Sequence, residues 1–146
     1  MKKQGILNAR LMGELTKIRH EDIIVICDIG FPIPKGSNVV DVSLVEGLPT
    51  FPQVLKAVLN EIIVESYTIF DIMKKYNQEY YQFLQDNLVN QAWTELSMPE
   101  FVARSQEAKL FIRTGEAKPA SNIMLRSASG VAAASEQFDV HFQSVL

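Results

Sequence analysis

The sequence predicts a single-domain α/β sandwich, with helices flanking a largely parallel central sheet. Three observations carry that expectation. The chain has 146 residues, 47% of them hydrophobic, enough for one buried core. Short apolar, β-branched runs recur along it, as strands buried on both faces require. Segments with helical spacing of apolar residues separate those runs, which is the signature of alternating strands and helices.

Taken in order, residues 7–19 predict an amphipathic helix capped by Asn8, with Leu7, Leu11, Leu15 and Ile18 on one face. Ile23-Ile24-Val25-Ile26-Cys27 predicts a buried strand. Asp28 ends it, and two glycines and two prolines in 29–36 enforce a loop. Val39–Leu44 predicts a second strand. Thr50 suits an N-cap for a helix over 51–60, where Pro52 lacks only an N–H that the first turn leaves unpaired anyway. Glu61–Ser66 holds a third strand around Ile62, Ile63 and Val64. Residues 67–76 and 78–96 predict helices, and Tyr76, Tyr80 and Tyr81 there suit core and interface positions. Ser97 and Pro99 open another helix, running to about Glu107. Leu110–Ile112 and Asn122–Leu125 complete the strands. Residues 1–131 form the expected domain, and 132–146 a C-terminal extension. In that extension Phe138, Val140 and Phe142 alternate with polar residues, which predicts an added half-buried strand after an Ala-rich linker. Such a strand would serve as an assembly element by pairing with a neighbour's sheet edge.

Composition narrows the function. A formal net charge of -3 offers no basic field for nucleic acid or acidic lipid. No apolar stretch reaches the ~18 residues of a membrane span, and the basic start lacks the apolar core of a signal peptide. A cytoplasmic protein is therefore expected. The one cysteine, Cys27, reads as a buried inert thiol. Phosphate-binding glycine motifs, a Gly-x-Ser-x-Gly elbow and zinc-type ligand spacing are all absent, so neither a nucleotide, another cofactor nor a metal is expected.

The run His20-Glu21-Asp22-Ile23-Ile24-Val25-Ile26-Cys27-Asp28-Ile29-Gly30-Phe31-Pro32-Ile33-Pro34-Lys35 resembles the opening of the D-ribose pyranase / L-fucose mutarotase family. So do Val64-Glu65, Ile112-Arg113-Thr114-Gly115-Glu116, Pro119 and Asn122. The likeness covers roughly residues 1–131, and Gly30 with Pro32–Lys35 resembles the ribose branch. The resemblance implies interconversion of sugar ring forms or anomers without metal or cofactor, in a ring-like homo-oligomer, often a decamer. It places the catalytic His on His20 and the sugar-binding Asp and Asn on Asp28 and Asn122. The family's second His falls on Met98, and its Tyr-Ala pair on Ala120-Ser121, so those positions join the implied substrate site with different side chains.

Ring opening takes a proton from the anomeric hydroxyl and gives one to the ring oxygen. An imidazole suits this work, because its unperturbed pKa of ~6.5 lets both forms exist near neutrality. His20 is assigned as proton donor. Asp28 would accept from sugar hydroxyls, and Asn122 offers them both a donor and an acceptor. On spacing alone, the end of the first helix is the better reading of His20 and an Asx turn the better reading of Asp28; the resemblance reverses that order. Glu116 suits a structural pairing with Arg113, and His141 a surface position. His20 and Asp28 bracket the first strand, so one sugar is expected to reach them only from different subunits of an oligomer. A non-catalytic monosaccharide-binding oligomer is the alternative expectation, prompted by Met98 and Ala120.

Overall fold

The computed structural model describes residues 1–146. In chain order the elements are α1 (Ala9–Leu15), β1 (Ile23–Cys27), β2 (Val39–Asp41), α2 (Phe51–Leu59), β3 (Val64–Phe70), α3 (Met73–Tyr76), α4 (Gln78–Asn87), β4 (Ala92–Leu96), α5 (Met98–Ser105), β5 (Leu110–Arg113), β6 (Ile123–Ser127) and α6 (Ala132–Phe138). The six strands form one sheet in the order β2-β5-β1-β6-β3-β4. Only β6 opposes its neighbours: it pairs antiparallel with β1 and β3, while every other pair is parallel. All five parallel strands therefore end at one edge of the sheet, where β6 begins.

Helix starts follow local chemistry. Asn8 accepts the Leu11 N–H, and Thr50 and Ser97 each form a capping box, with Gln53 and Glu100. The central strand is dry: Ile24, Val25, Ile26 and Cys27 are fully buried. Burial pushes the Cys27 thiol up to about 12, which keeps it inert. Tyr67 and Phe70 lie three residues apart on β3 and so face opposite sides. Tyr67 stacks on Trp93, which meets Tyr81 of α4 edge-on. Phe70 packs edge-on against Phe101 of α5, which also meets Phe31. Helices thus cover both faces.

Several expectations need correction, beginning with the third strand, which starts at Val64 and not at Glu61. Residues 67–70 continue β3 and are not helical, so α3 is a single turn. The predicted helix over 78–96 stops at Asn87, and Ala92–Leu96 is the edge strand β4. Residues 92–95 are exposed, so this strand carries none of the apolar alternation that marks a half-buried one. The tail is not an added strand. Its Ala-rich start is helix α6, as strong helix formers allow, and no strand follows. Instead the Asn60 side chain grips the Phe142 backbone, donating to its carbonyl at 2.8 Å and accepting its N–H at 2.7 Å. The Phe142 ring stacks on Phe83 of α4, with Lys56 Nζ near both rings. Between this tail and the chain's first residues runs a groove of about 570 Å³, walled by Lys2, Gln4, Glu61, His141 and Val145.

The loop joining β5 to β6 is anchored from two sides. Gly115 accepts from the Gly47 N–H and donates to the Pro49 carbonyl. A Cβ at Gly115 would collide with the Leu48 carbonyl group, so only glycine allows this approach. Glu116 is buried and does not pair with Arg113. Its Oε2 accepts from the Tyr80 hydroxyl at 2.5 Å and from Phe51 N at 3.2 Å, and its Oε1 from Lys118 N at 2.9 Å. Arg113 instead donates to the Ile29 carbonyl at 2.7 Å and lies 3.9 Å from Asp41. Burial pushes the Glu116 pKa up, but the hydrogen bonds from Tyr80 and three backbone N–H groups outweigh it and leave it below the ordinary value.

Gly115→Ala should destabilise the protein by about 1–3 kcal/mol in urea unfolding, because the backbone it strikes has no rotamer to yield. Tyr80→Phe should cost about 1–3 kcal/mol at pH 7, through loss of a hydrogen bond to a buried charge. Because the folded Glu116 pKa is depressed, its contribution is full above the unfolded value of ~4.3 and is lost as pH falls through the folded one. The gap between Tyr80→Phe and wild type should therefore narrow in unfolding curves taken at successively lower pH.

Candidate active site

Asp28 leaves the carboxyl end of β1 at the edge where the parallel strands finish. Ligands in open α/β sheets gather at that edge. Its carboxylate is held from both sides. Oδ1 accepts the Gly30 N–H at 3.0 Å, which is the Asx turn that spacing allowed. Oδ2 accepts from Asn122 Nδ2 at 2.9 Å, while Asn122 Oδ1 accepts the Asp28 N–H at 3.0 Å. The two side chains thus interlock through a reciprocal pair of bonds. Burial raises the Asp28 pKa, opposed by these hydrogen bonds and by the nearby charge of Arg113. Oδ2, with Asn122 as its donor, keeps a second lone-pair direction for a hydroxyl.

The segment before β6 is fixed as firmly. Ala120 sits in the left-handed region at φ 59°, a costly place for a residue with a Cβ. Asn77, the N-cap of α4, holds it there. Its Nδ2 donates to the Pro119 carbonyl at 3.1 Å and to Ser121 Oγ at 3.0 Å, and Ser121 Oγ donates to the Lys118 carbonyl at 2.9 Å. Ser121 and Asn122 are almost wholly buried. Sequence reasoning did not single out Asn77. Its one signal was its place before the helical run of 78–87, which suits a cap. Met98 begins α5 directly after β4, at this same edge, with half its surface exposed.

His20 lies elsewhere. Helix α1 closes at the cap Thr16, four residues earlier, so His20 does not end it. It precedes β1 at the opposite edge, half exposed, with its Nε2 3.4 Å from Glu65 Oε2. Seven residues separate it from Asp28, and the five of them in β1 alone span roughly 17 Å at ~3.3 Å per residue. Within one chain the structure therefore gathers Asp28, Ala120, Ser121 and Asn122 and leaves His20 at the far end of the sheet. No helix is long and apolar enough to cross a membrane.

Known proteins match this chain in sequence and in fold. Residues 1–132 match the RbsD / FucU transport protein family. D-ribose pyranase of Geobacillus thermodenitrificans is 41% identical over 127 residues, covering 87% of this chain and 96% of that one. D-ribose pyranase of Geobacillus kaustophilus is 40% identical over 138 residues, covering 94% of this chain and 100% of that one. The solved structure of Bacillus subtilis RbsD complexed with D-ribose superposes with a TM-score of 0.84 at 39% identity, covering 88% of this chain and 98% of that one. Fucose mutarotase of Streptococcus pneumoniae, solved with L-fucose, shares the fold at a TM-score of 0.68 and 23% identity, covering 86% and 95%. A match of that extent, with relatives near 40% identity along almost their whole length, means that this chain belongs to the RbsD / FucU transport protein family.

Proposed function

We propose that this protein is a sugar mutarotase of the D-ribose pyranase kind, interconverting ring forms or anomers of D-ribose or a related monosaccharide by proton transfer. The observation that carries the reading is the split site: a preorganised carboxylate, Asp28, at one edge of the sheet and an accessible imidazole, His20, at the other. In a ring-like homo-oligomer, a decamer in its family form, the His20 edge of one subunit meets the Asp28 edge of the next. The sugar binds in that seam, and the protein works in the cytoplasm. Relatives named D-ribose pyranase support the substrate class.

In this seam His20 donates a proton to the ring oxygen as the bond from that oxygen to the anomeric carbon breaks. The anomeric hydroxyl gives its proton to a base and becomes the carbonyl of the open chain. Reclosure on the other face, or through a different hydroxyl, returns a different anomer or ring size. Only an acid, a base and a fixed sugar are needed, so no cofactor enters. Asp28 accepts from sugar hydroxyls, and Asn122 keeps its carboxylate turned to receive them. Ser121 holds the backbone beside it, and Met98 and Ala120 form apolar wall where the family carries an imidazole and a phenol.

His20→Ala should abolish the excess ring-interconversion rate on D-ribose, read by saturation-transfer NMR, while the sugar still binds. Retained binding without any rate enhancement in the wild type would instead mark a non-catalytic sugar-binding oligomer. Asp28→Asn should weaken D-ribose binding at least about tenfold, roughly the loss of one charge-assisted hydrogen bond. Because burial raises the Asp28 pKa, its carboxylate neutralises early on acidification. Wild-type affinity should then fall with a midpoint above the ordinary ~3.9, as measured by calorimetric titration across pH.

A further inference from the structure

A chain of alternating charge crosses the sheet edge that carries His20. Glu65 of β3 places Oε2 3.4 Å from His20 Nε2 and Oε1 3.5 Å from Arg126 Nε on β6. Arg126 Nη2 donates in turn to Glu21 Oε1 at 2.7 Å. Both Glu65 oxygens therefore face a partner, which fixes the plane of the carboxylate. Glu65 is also the more buried member of its pair with His20, with its side chain 26% exposed against 49%. The backbone adds an independent observation. The register between β3 and β6 shifts between Val64 and Ser66, so a bulge falls on Glu65 itself. Bulges re-aim one side chain out of the strand's alternation. Here the side chain so aimed meets the imidazole.

We propose that Glu65 is the positioning residue of His20. It holds the ring by Nε2, keeps the proton of the neutral imidazole on that nitrogen, and turns Nδ1 toward the sugar of the adjoining subunit. This rests on the reading of His20 as proton donor. In the transfer, Nδ1 of the imidazolium gives its proton to the ring oxygen, and the neutral ring left behind keeps its remaining proton on Nε2, facing the Glu65 carboxylate. A carboxylate behind an imidazole fixes tautomer and orientation together. Glu65 touches no substrate; its effect reaches the sugar through His20.

The test uses the assembled, 15N-labelled full chain. The sequence has two histidines, so two-bond proton–nitrogen correlation at alkaline pH, with His20→Ala for assignment, reads the His20 tautomer directly. The wild type should show the Nε2–H form. Glu65→Ala should shift it toward a mixture and lower kcat for D-ribose about tenfold, part of the ~10²–10⁴ that a positioned acid supplies, with KM within about twofold. Glu65→Gln retains an acceptor and should recover part of both. An Nδ1–H wild type overturns the proposal without any variant at position 65, as does a Glu65→Ala protein with unchanged kcat. If His20→Ala keeps full activity, the underlying role of His20 fails. If His20→Ala is inactive while Glu65→Ala is fully active, only the role of Glu65 fails.

Discussion

The arrangement depends on one strand running against its neighbours. Five strands point the same way, and β6 enters between β1 and β3 from the opposite end. That reversal lets five residues of backbone carry an interlocking polar side chain to each edge. Asn122, just before β6, interlocks with Asp28 where β1 ends. Arg126, near its finish, braces Glu65 beside His20 where β1 is about to begin. A parallel strand in the same place would bring its first residue to the His20 edge and its last to the Asp28 edge, and both partnerships would be lost.

The carboxyl edge stays rigid because its polar groups answer one another. Glu116 and Tyr80 anchor one side of the β5–β6 loop, Gly115 admits the neighbouring turn, and Asn77 braces the backbone at Ala120. Buried polar groups of this kind are stabilising only when each has its partner. Here the satisfied network leaves Asp28 as the group with open acceptor capacity at the mouth. The same desolvation that raises its pKa strengthens the bonds it accepts from Asn122 and Gly30.

Much of this was legible in the residues. The strand Ile23–Cys27, dry from Ile24 onward, the caps Asn8, Thr50 and Ser97, and the placement of Asp28 after a strand all follow from local chemistry, and the structure reproduces them. The failures share a cause. Strand β4 lies at an edge with exposed side chains, so its Ala-Trp-Thr-Glu-Leu pattern had no buried face to report, and the helical spacing before it was read too far. Strand β3 passes through Ser66-Tyr67-Thr68, where pairing on both sides, with β4 and β6, overrules a mixed composition. In the tail, alternation at Phe138, Val140 and Phe142 imitated a strand, because the long-range grip of Asn60 on Phe142 leaves no local trace. The pairing of Glu65 with His20 was hidden for the same reason, since 45 positions separate them in the chain.

The groove walled by both Lys2 and Val145 has a practical bearing. Residues from 2–6 and from 141–145 line it together, so a fluorophore on one segment and a quencher on the other would report directly on whether the tail stays docked at Asn60.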